Sequence, residues 1–353
     1  MRHGFLQMTA ATLFVTAVAA CGGGVKPSET PDPGPTAPPR LPPSMGGLGG
    51  PKIDTPDPAP PAGAPALSED VARGTKALEA GDFAGAKSAA DAALKKNPKD
   101  GDALALLGMA LEGQGDKAGA EKAYKDALKA KPDHEAAAVN LSAIQVDAQR
   151  WDDAEKTCRA AVEKHKDNPL LHLNLAVALS GKKDQAGSTK EFDDAVRLAP
   201  KQPMALITYA DRLAEWGQTD QAVTKLKAAR GLAEGDVAML ATIGHSFLLL
   251  RAVAECVPTF DKAIALKDAA ELRTERGLCK LASKDKAGAT ADFQAAVTKE
   301  PSYALGHYWL GAMKLQGGAP KDAKTELDTY LKLAPTGPKA AAAKELLAKI
   351  AKK

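Results

Sequence analysis

The stretch GDALALLGMALEGQGDKAGAEKAYKDALKAKPDH, residues 101–134, decides how the chain is read. Leu104, Leu107, Ala110 and Leu111 recur at helical spacing and make one apolar stripe, which predicts a first helix. Gly115 and Asp116 then interrupt the pattern, because a turn that needs a positive φ takes glycine and an aspartate caps the helix that follows. Ala120, Ala123, Tyr124, Ala127 and Leu128 make a second stripe, which Pro132 stops. Small residues at Gly108 and Ala120 let the two helices approach closely. One such hairpin cannot bury its own apolar surface, so it requires like neighbours on both sides.

The same landmarks recur along the chain. Gly81, Asp82, Phe83 and Pro98 set a first unit at 67–100, and the quoted stretch is the second. Trp151 and Ala154 set a third at 135–168, Pro200 closes a fourth at 169–202, and Gly217 with Ala222 marks a fifth at 203–236. The sixth, 237–269, is one residue short. Gly277, Phe293 and Pro301 restore the register for the seventh at 270–303, and Leu310, Gly311, Ala323 and Pro335 mark the eighth at 304–337. Residues 338–353 read as a closing helix that starts at Pro338. Its stripe of Ala343, Leu346, Leu347 and Ile350 lies opposite Lys344, Lys349, Lys352 and Lys353.

Large, large, small and large residues at Leu104, Leu107, Gly108 and Leu111, followed by Ala120, Tyr124 and Pro132, resemble the tetratricopeptide repeat of about 34 residues. The resemblance implies an all-α, right-handed solenoid of about eight tetratricopeptide repeats with a C-terminal capping helix. In that family the first helices line a concave groove. Carried over by repeat register, the partner-binding groove consists of Met109, Val139, Asn140, Leu173, Asn174, Val177, Ile207, His245, Leu248, Leu249, Leu278, Tyr308 and Trp309. It implies capture of an apolar peptide or helix of another protein, with Asn140 and Asn174 bonding its backbone and Trp309 as the main anchor. The lysine and arginine clamp that some family members use for a C-terminal carboxylate is absent.

Upstream of the repeats the composition changes. Residues 1–20 carry an early positive charge at Arg2 and then an uncharged run from Gly4 to Ala20, too short to span a bilayer comfortably. The run ends Val18, Ala19, Ala20, Cys21, which resembles the lipobox of a bacterial lipoprotein signal and predicts lipidation of Cys21. Residues 21–66 are rich in proline and glycine, lack a periodic apolar stripe, and read as a disordered tether. The expected location is the bacterial cell envelope, at the outer membrane facing the periplasm.

A net charge of +3 with acids and bases interspersed gives no basic stripe for nucleic acid. Cys158 takes the bulky position of a second helix and reads as a small buried hydrophobe. Cys256 and Cys279 fall on helices that stack, but spacing does not establish the Cα separation a bridge requires, so their pairing stays open. His134-Glu135 lacks the second histidine of a zincin helix, and no GxSxG, P-loop or CxxC is present. His165 and His172 are separated by Pro169. No catalytic residue, metal set or cofactor is expected.

The expected function is therefore non-enzymatic: a membrane-tethered scaffold that binds a segment of another envelope protein and assists assembly of a complex. Lipoproteins of similar plan include the pilotin-like proteins that help secretin pores of type IV pili assemble, though this chain has more repeats and a longer tether. The alternative is an accessory subunit that recruits or regulates an envelope enzyme such as a peptidoglycan hydrolase or protease.

Overall fold

The computed structural model describes residues 68–351. The expected signal segment, Cys21, the tether to residue 66, Lys352 and Lys353 lie outside the described residues. Among the described residues there are α-helices and no strand. In the first compact unit, which ends at Leu198, α1 (Glu69–Glu79) pairs with α2 (Phe83–Lys96) and α3 (Gly101–Gly113) with α4 (Lys117–Ala130). Next, α5 (Glu135–Asp147) pairs with α6 (Trp151–Val162), and α7 (Pro169–Gly181) with α8 (Gln185–Leu198). The second unit starts at Ala199 and holds α9 (Pro203–Glu215), α10 (Thr219–Leu232), α11 (Val237–Leu249) and α12 (Val253–Leu266). It continues with α13 (Ala270–Ala282), α14 (Lys286–Lys299), α15 (Ala304–Gln316), α16 (Pro320–Leu333) and α17 (Ala340–Ala351). None of the described helices is long and apolar enough to cross a membrane.

Every hairpin turns in the same way. One residue of each turn is left-handed: Gly81, Gly115, Gly217 and Gly318 in four of them, and Gln149, Lys183, Arg251 and Lys284 in the others. In four of the hairpins an aspartate next in sequence then caps the second helix, with Gly85 N–H donating to Asp82 Oδ1 at 2.8 Å, Gly119 to Asp116 at 2.9 Å, Gly187 to Asp184 at 2.9 Å and Gly288 to Asp285 at 2.8 Å. These bonds satisfy amides that a helix start leaves without an intrahelical partner. At Arg150, Gln218, Ala252 and Ala319 no side-chain cap forms.

Close approach within a hairpin follows a small-against-large rule. A Cβ added at Gly108 would lie 2.5 Å from the Tyr124 ring, and one at Gly277 would lie 2.6 Å from the Phe293 ring. Tyr124, Phe192, Phe260 and Phe293 are fully buried, each on a second helix. Adjacent hairpins then stack through their first helices, α1 on α3, α3 on α5 and α5 on α7 in the first unit, α11 on α13 and α13 on α15 in the second. Cys158 is buried, and burial pushes its thiol up to about 12, so it packs as a hydrophobe.

Two details go beyond or depart from the sequence reading. Cys256 on α12 and Cys279 on α13 form a disulfide across 5.9 Å between Cα atoms, which settles the pairing left open by spacing. The closing helix starts at Ala340, not at Pro338, which belongs to the preceding turn. There the Lys339 N–H donates to the Tyr330 hydroxyl at 2.9 Å and fixes the entry of α17 onto α16. Ala343 is buried, whereas Leu346, Leu347 and Ile350 remain half-buried.

Candidate partner-binding surfaces

In the first unit, most of the residues expected to line a groove are packed inside. Val139, Leu173 and Val177 are buried, and Met109 is half-buried. The two asparagines are not available to a bound backbone. The Asn174 amide donates to the Val139 carbonyl at 3.1 Å and to the Ser142 hydroxyl at 2.9 Å, tying α7 to α5. The Asn140 amide donates to the Tyr124 hydroxyl at 3.3 Å, and that hydroxyl donates to Glu112 Oε2 at 2.9 Å. Asn140 is 1% exposed, and its Oδ1 is buried without a partner. Both side chains hold hairpins together, which corrects the expectation that they contact a ligand.

The second unit buries Ile207, Leu248, Leu278 and Tyr308 as well. Trp309, expected to be an exposed anchor, is only 6% exposed. Its ring stacks on Phe293 with centroids 6.1 Å apart and meets the edge of Tyr308 at 5.1 Å, while Lys339 Nζ lies 5.6 Å from its centroid. Repeat register gives the direction of a side chain but not its depth. Here the turn into α17 covers the indole, so Trp309 belongs to the core.

What the second unit does expose is a different set. Leu249 is 50% exposed. His245, beside it on α11, is exposed, and its Nδ1 lies 3.3 Å from Glu275 Oε2 on α13. That bond, helped by the charges of Glu275 and Asp211 and opposed by burial, raises the His245 pKa. Burial pushes the carboxyl of Asp211 on α9 up to about 6, against the pull of Arg212, with Glu215 adding to the rise. On the far side, Tyr303 is pushed up to about 12 by burial and by the charges of Glu271 and Glu275. Three successive first helices thus present a carboxylate, an imidazole and a carboxylate, with an exposed leucine alongside. Repeat register places Asp211 and Glu275 on the same face as His245, so the signal was in the sequence, but in acidic rather than apolar side chains.

Helical hairpins repeated in register, each closed by a left-handed residue, define a repeat scaffold. Models of the tetratricopeptide repeat match residues 71–135 and 111–179, which places that stretch of the chain in the tetratricopeptide repeat family, whose members are generally protein-interaction scaffolds. The crystal structure of yeast Tom70 is similar over 82% of this chain and 66% of that chain, at 17% identity and a TM-score of 0.54. The APC/C hetero-tetramer Cut9-Hcn1 matches 78% of this chain and 55% of that chain, at 15% identity and a TM-score of 0.44. PilW, a type IV pilus biogenesis factor, matches 56% of this chain and 91% of that chain, at 16% identity and a TM-score of 0.49. The chain therefore spans less than two thirds of the length of Tom70 and of the Cut9 assembly chain, and identities this low speak to the fold alone. A search of curated protein sequences finds no match.

Proposed function

We propose that this protein is a non-enzymatic adaptor, held at a bacterial membrane by a lipid on Cys21, that binds a segment of another envelope protein and assists assembly of a complex. The observation that carries the reading is the exposed Leu249 next to His245, flanked by Asp211 and Glu275 on neighbouring first helices. An apolar side chain of the partner would cover Leu249, and a lysine or arginine beside it would face the two carboxylates. The disulfide between Cys256 and Cys279 supports an oxidising compartment such as the periplasm.

The test is a photocrosslinking amino acid placed at position 249 of the anchored protein in the cells that make it, with mass spectrometry of the adduct. The control position is Ala291, exposed on α14. One envelope protein captured at 249 and not at 291, and lost when His245→Ala is added, is the expected result. Equal capture from both positions would defeat the reading. The anchor is checked separately, because Cys21→Ala should move the protein out of the detergent phase.

A further inference from the structure

Two histidines hold the same place in the fourth and eighth hairpins. On α7, His172 Nδ1 lies 2.6 Å from Glu191 Oε2 of α8, and its Nε2 lies 2.9 Å from the Lys166 carbonyl oxygen. On α15, His307 Nδ1 lies 2.6 Å from Glu326 Oε2 of α16, and its Nε2 lies 2.9 Å from the Pro301 carbonyl oxygen. A carbonyl oxygen only accepts, so Nε2 carries hydrogen in both. Nδ1 then faces a carboxylate oxygen at hydrogen-bond distance, and two acceptors come that close only when they share a proton; a metal ion that replaced the proton would spread the two atoms apart.

The surroundings of the two pairs differ in charge. Beside His307, Lys314 Nζ lies 2.7 Å from Glu326 Oε1, and three residues after the glutamate stands Thr329, whose hydroxyl donates to the Thr325 carbonyl. In the fourth hairpin the place of the lysine is taken by buried Leu179, and that of the threonine by Asp194. One cation is lost and one anion gained. The ligand atoms of His172, Glu191 and Asp194 all lie within 4.8 Å of one another. His172 and Glu191 are buried. The ion pair to Asp194 comes from Arg197, 2.7 Å from Oδ1, whose own side chain is 66% exposed.

We infer that His172, Glu191 and Asp194 form a binding site for a first-row divalent cation, zinc in the first place. A neutral imidazole nitrogen and carboxylate oxygens are ligands that zinc takes at about 2.0–2.2 Å. The two carboxylates cancel its charge, and the proton between Nδ1 and Glu191 leaves to solvent when the metal enters. The Nε2–H bond to the Lys166 carbonyl is the outer contact that fixes the tautomer and orientation of a metal-ligating histidine. Asp194, the most exposed of the three, turns inward to close the set, and water takes the fourth position.

Calorimetric titration of the full chain with zinc chloride tests this, with magnesium chloride as the counter-probe. The wild type should bind one zinc ion and no magnesium. Asp194→Asn should weaken zinc binding at least tenfold and His172→Ala should abolish it, whereas His307→Ala should leave it unchanged. Asp194→Asn decides the matter if His172→Ala fails to fold, since the aspartate is partly exposed. Lys314→Leu with Thr329→Asp, which rebuilds the fourth-hairpin charge pattern around His307, should raise the stoichiometry from one to two. No zinc bound by the wild type, undiminished binding in Asp194→Asn, or no second ion in the double variant would each overturn the inference.

Discussion

Four of the hairpin turns hold a residue with a Cβ in the left-handed region: Gln149 at φ 56°, Lys183 at 66°, Arg251 at 56° and Lys284 at 68°. At the glycine counterparts Gly81, Gly115, Gly217 and Gly318, an added Cβ meets nothing within 4 Å. The register position is sterically open, so the cost of a side chain there is confined to the backbone. That cost is about 1–2 kcal/mol per residue, and glycine gives back about 0.5–1 kcal/mol through its greater freedom in the unfolded chain. Each single change to glycine should therefore stabilise by about 0.5–1 kcal/mol. The four positions lie in different hairpins, so the gains should add to about 2–4 kcal/mol in the quadruple variant. Gln149 and Lys183 belong to the first unit, Arg251 and Lys284 to the second, so each pair should act on the unfolding of its own unit. Urea unfolding, with amide hydrogen exchange to assign the unit, measures this. The converse variant Gly115→Ala should lose about 0.5–1 kcal/mol, the same net difference with its sign reversed. Glycine variants that fail to stabilise, together with a neutral Gly115→Ala, would refute the argument.

Asp211 gives a pH-dependent prediction. Its folded pKa of about 6 stands above the ordinary 3.8, so the folded state holds the proton more tightly and stability falls as pH rises through that window. At about 1.4 kcal/mol per pH unit the loss is on the order of 1–3 kcal/mol after allowance for partial exposure. Asp211→Asn should recover that amount at pH 7.5 and little at pH 4, read from urea midpoints; equal gains at both would contradict it. His245, raised by Glu275, acts in the same direction, since its contribution is lost as pH rises through its folded pKa. Trp309→Ala should lower stability by about 3–5 kcal/mol, because it empties a packed site against Phe293 and Tyr308. A melting temperature within a degree or two of wild type would return the indole to the surface.

The hairpin was legible because each of its parts has a local cause. Leu104 to Leu111 repeat at helical spacing, Gly115 and Asp116 supply turn and cap, and both act within a few residues of sequence. Depth was less legible. The rule that aims Trp309 inward along the array does not say that Lys339 and the turn into α17 close over it. Nor could it say that the amide of Asn174 is occupied by a carbonyl 35 residues away on another helix. The pairing of His172 with Glu191 joins residues 19 apart on facing helices, a separation that no single-helix pattern reports. Aligning the repeats on one another would have exposed it, since His307 and Glu326 occupy the same two columns. Asp211 and Glu275 share the face of His245 by repeat register but carry charge, which an apolar pattern does not show.

The bridge between Cys256 and Cys279 also decides how the molecule carries mechanical load. Force applied between the two ends of the chain is transmitted along its backbone. The disulfide shunts that force past the segment between the two cysteines, a separation of 23 residues that includes most of α12 and most of α13. However far the rest of the second unit is drawn out, this loop adds no extension while oxidised. Reduction would release about 80 Å of slack at the fully extended rise per residue. The redox state of one bond therefore sets the reach of the stretched chain as well as the stability of the folded one.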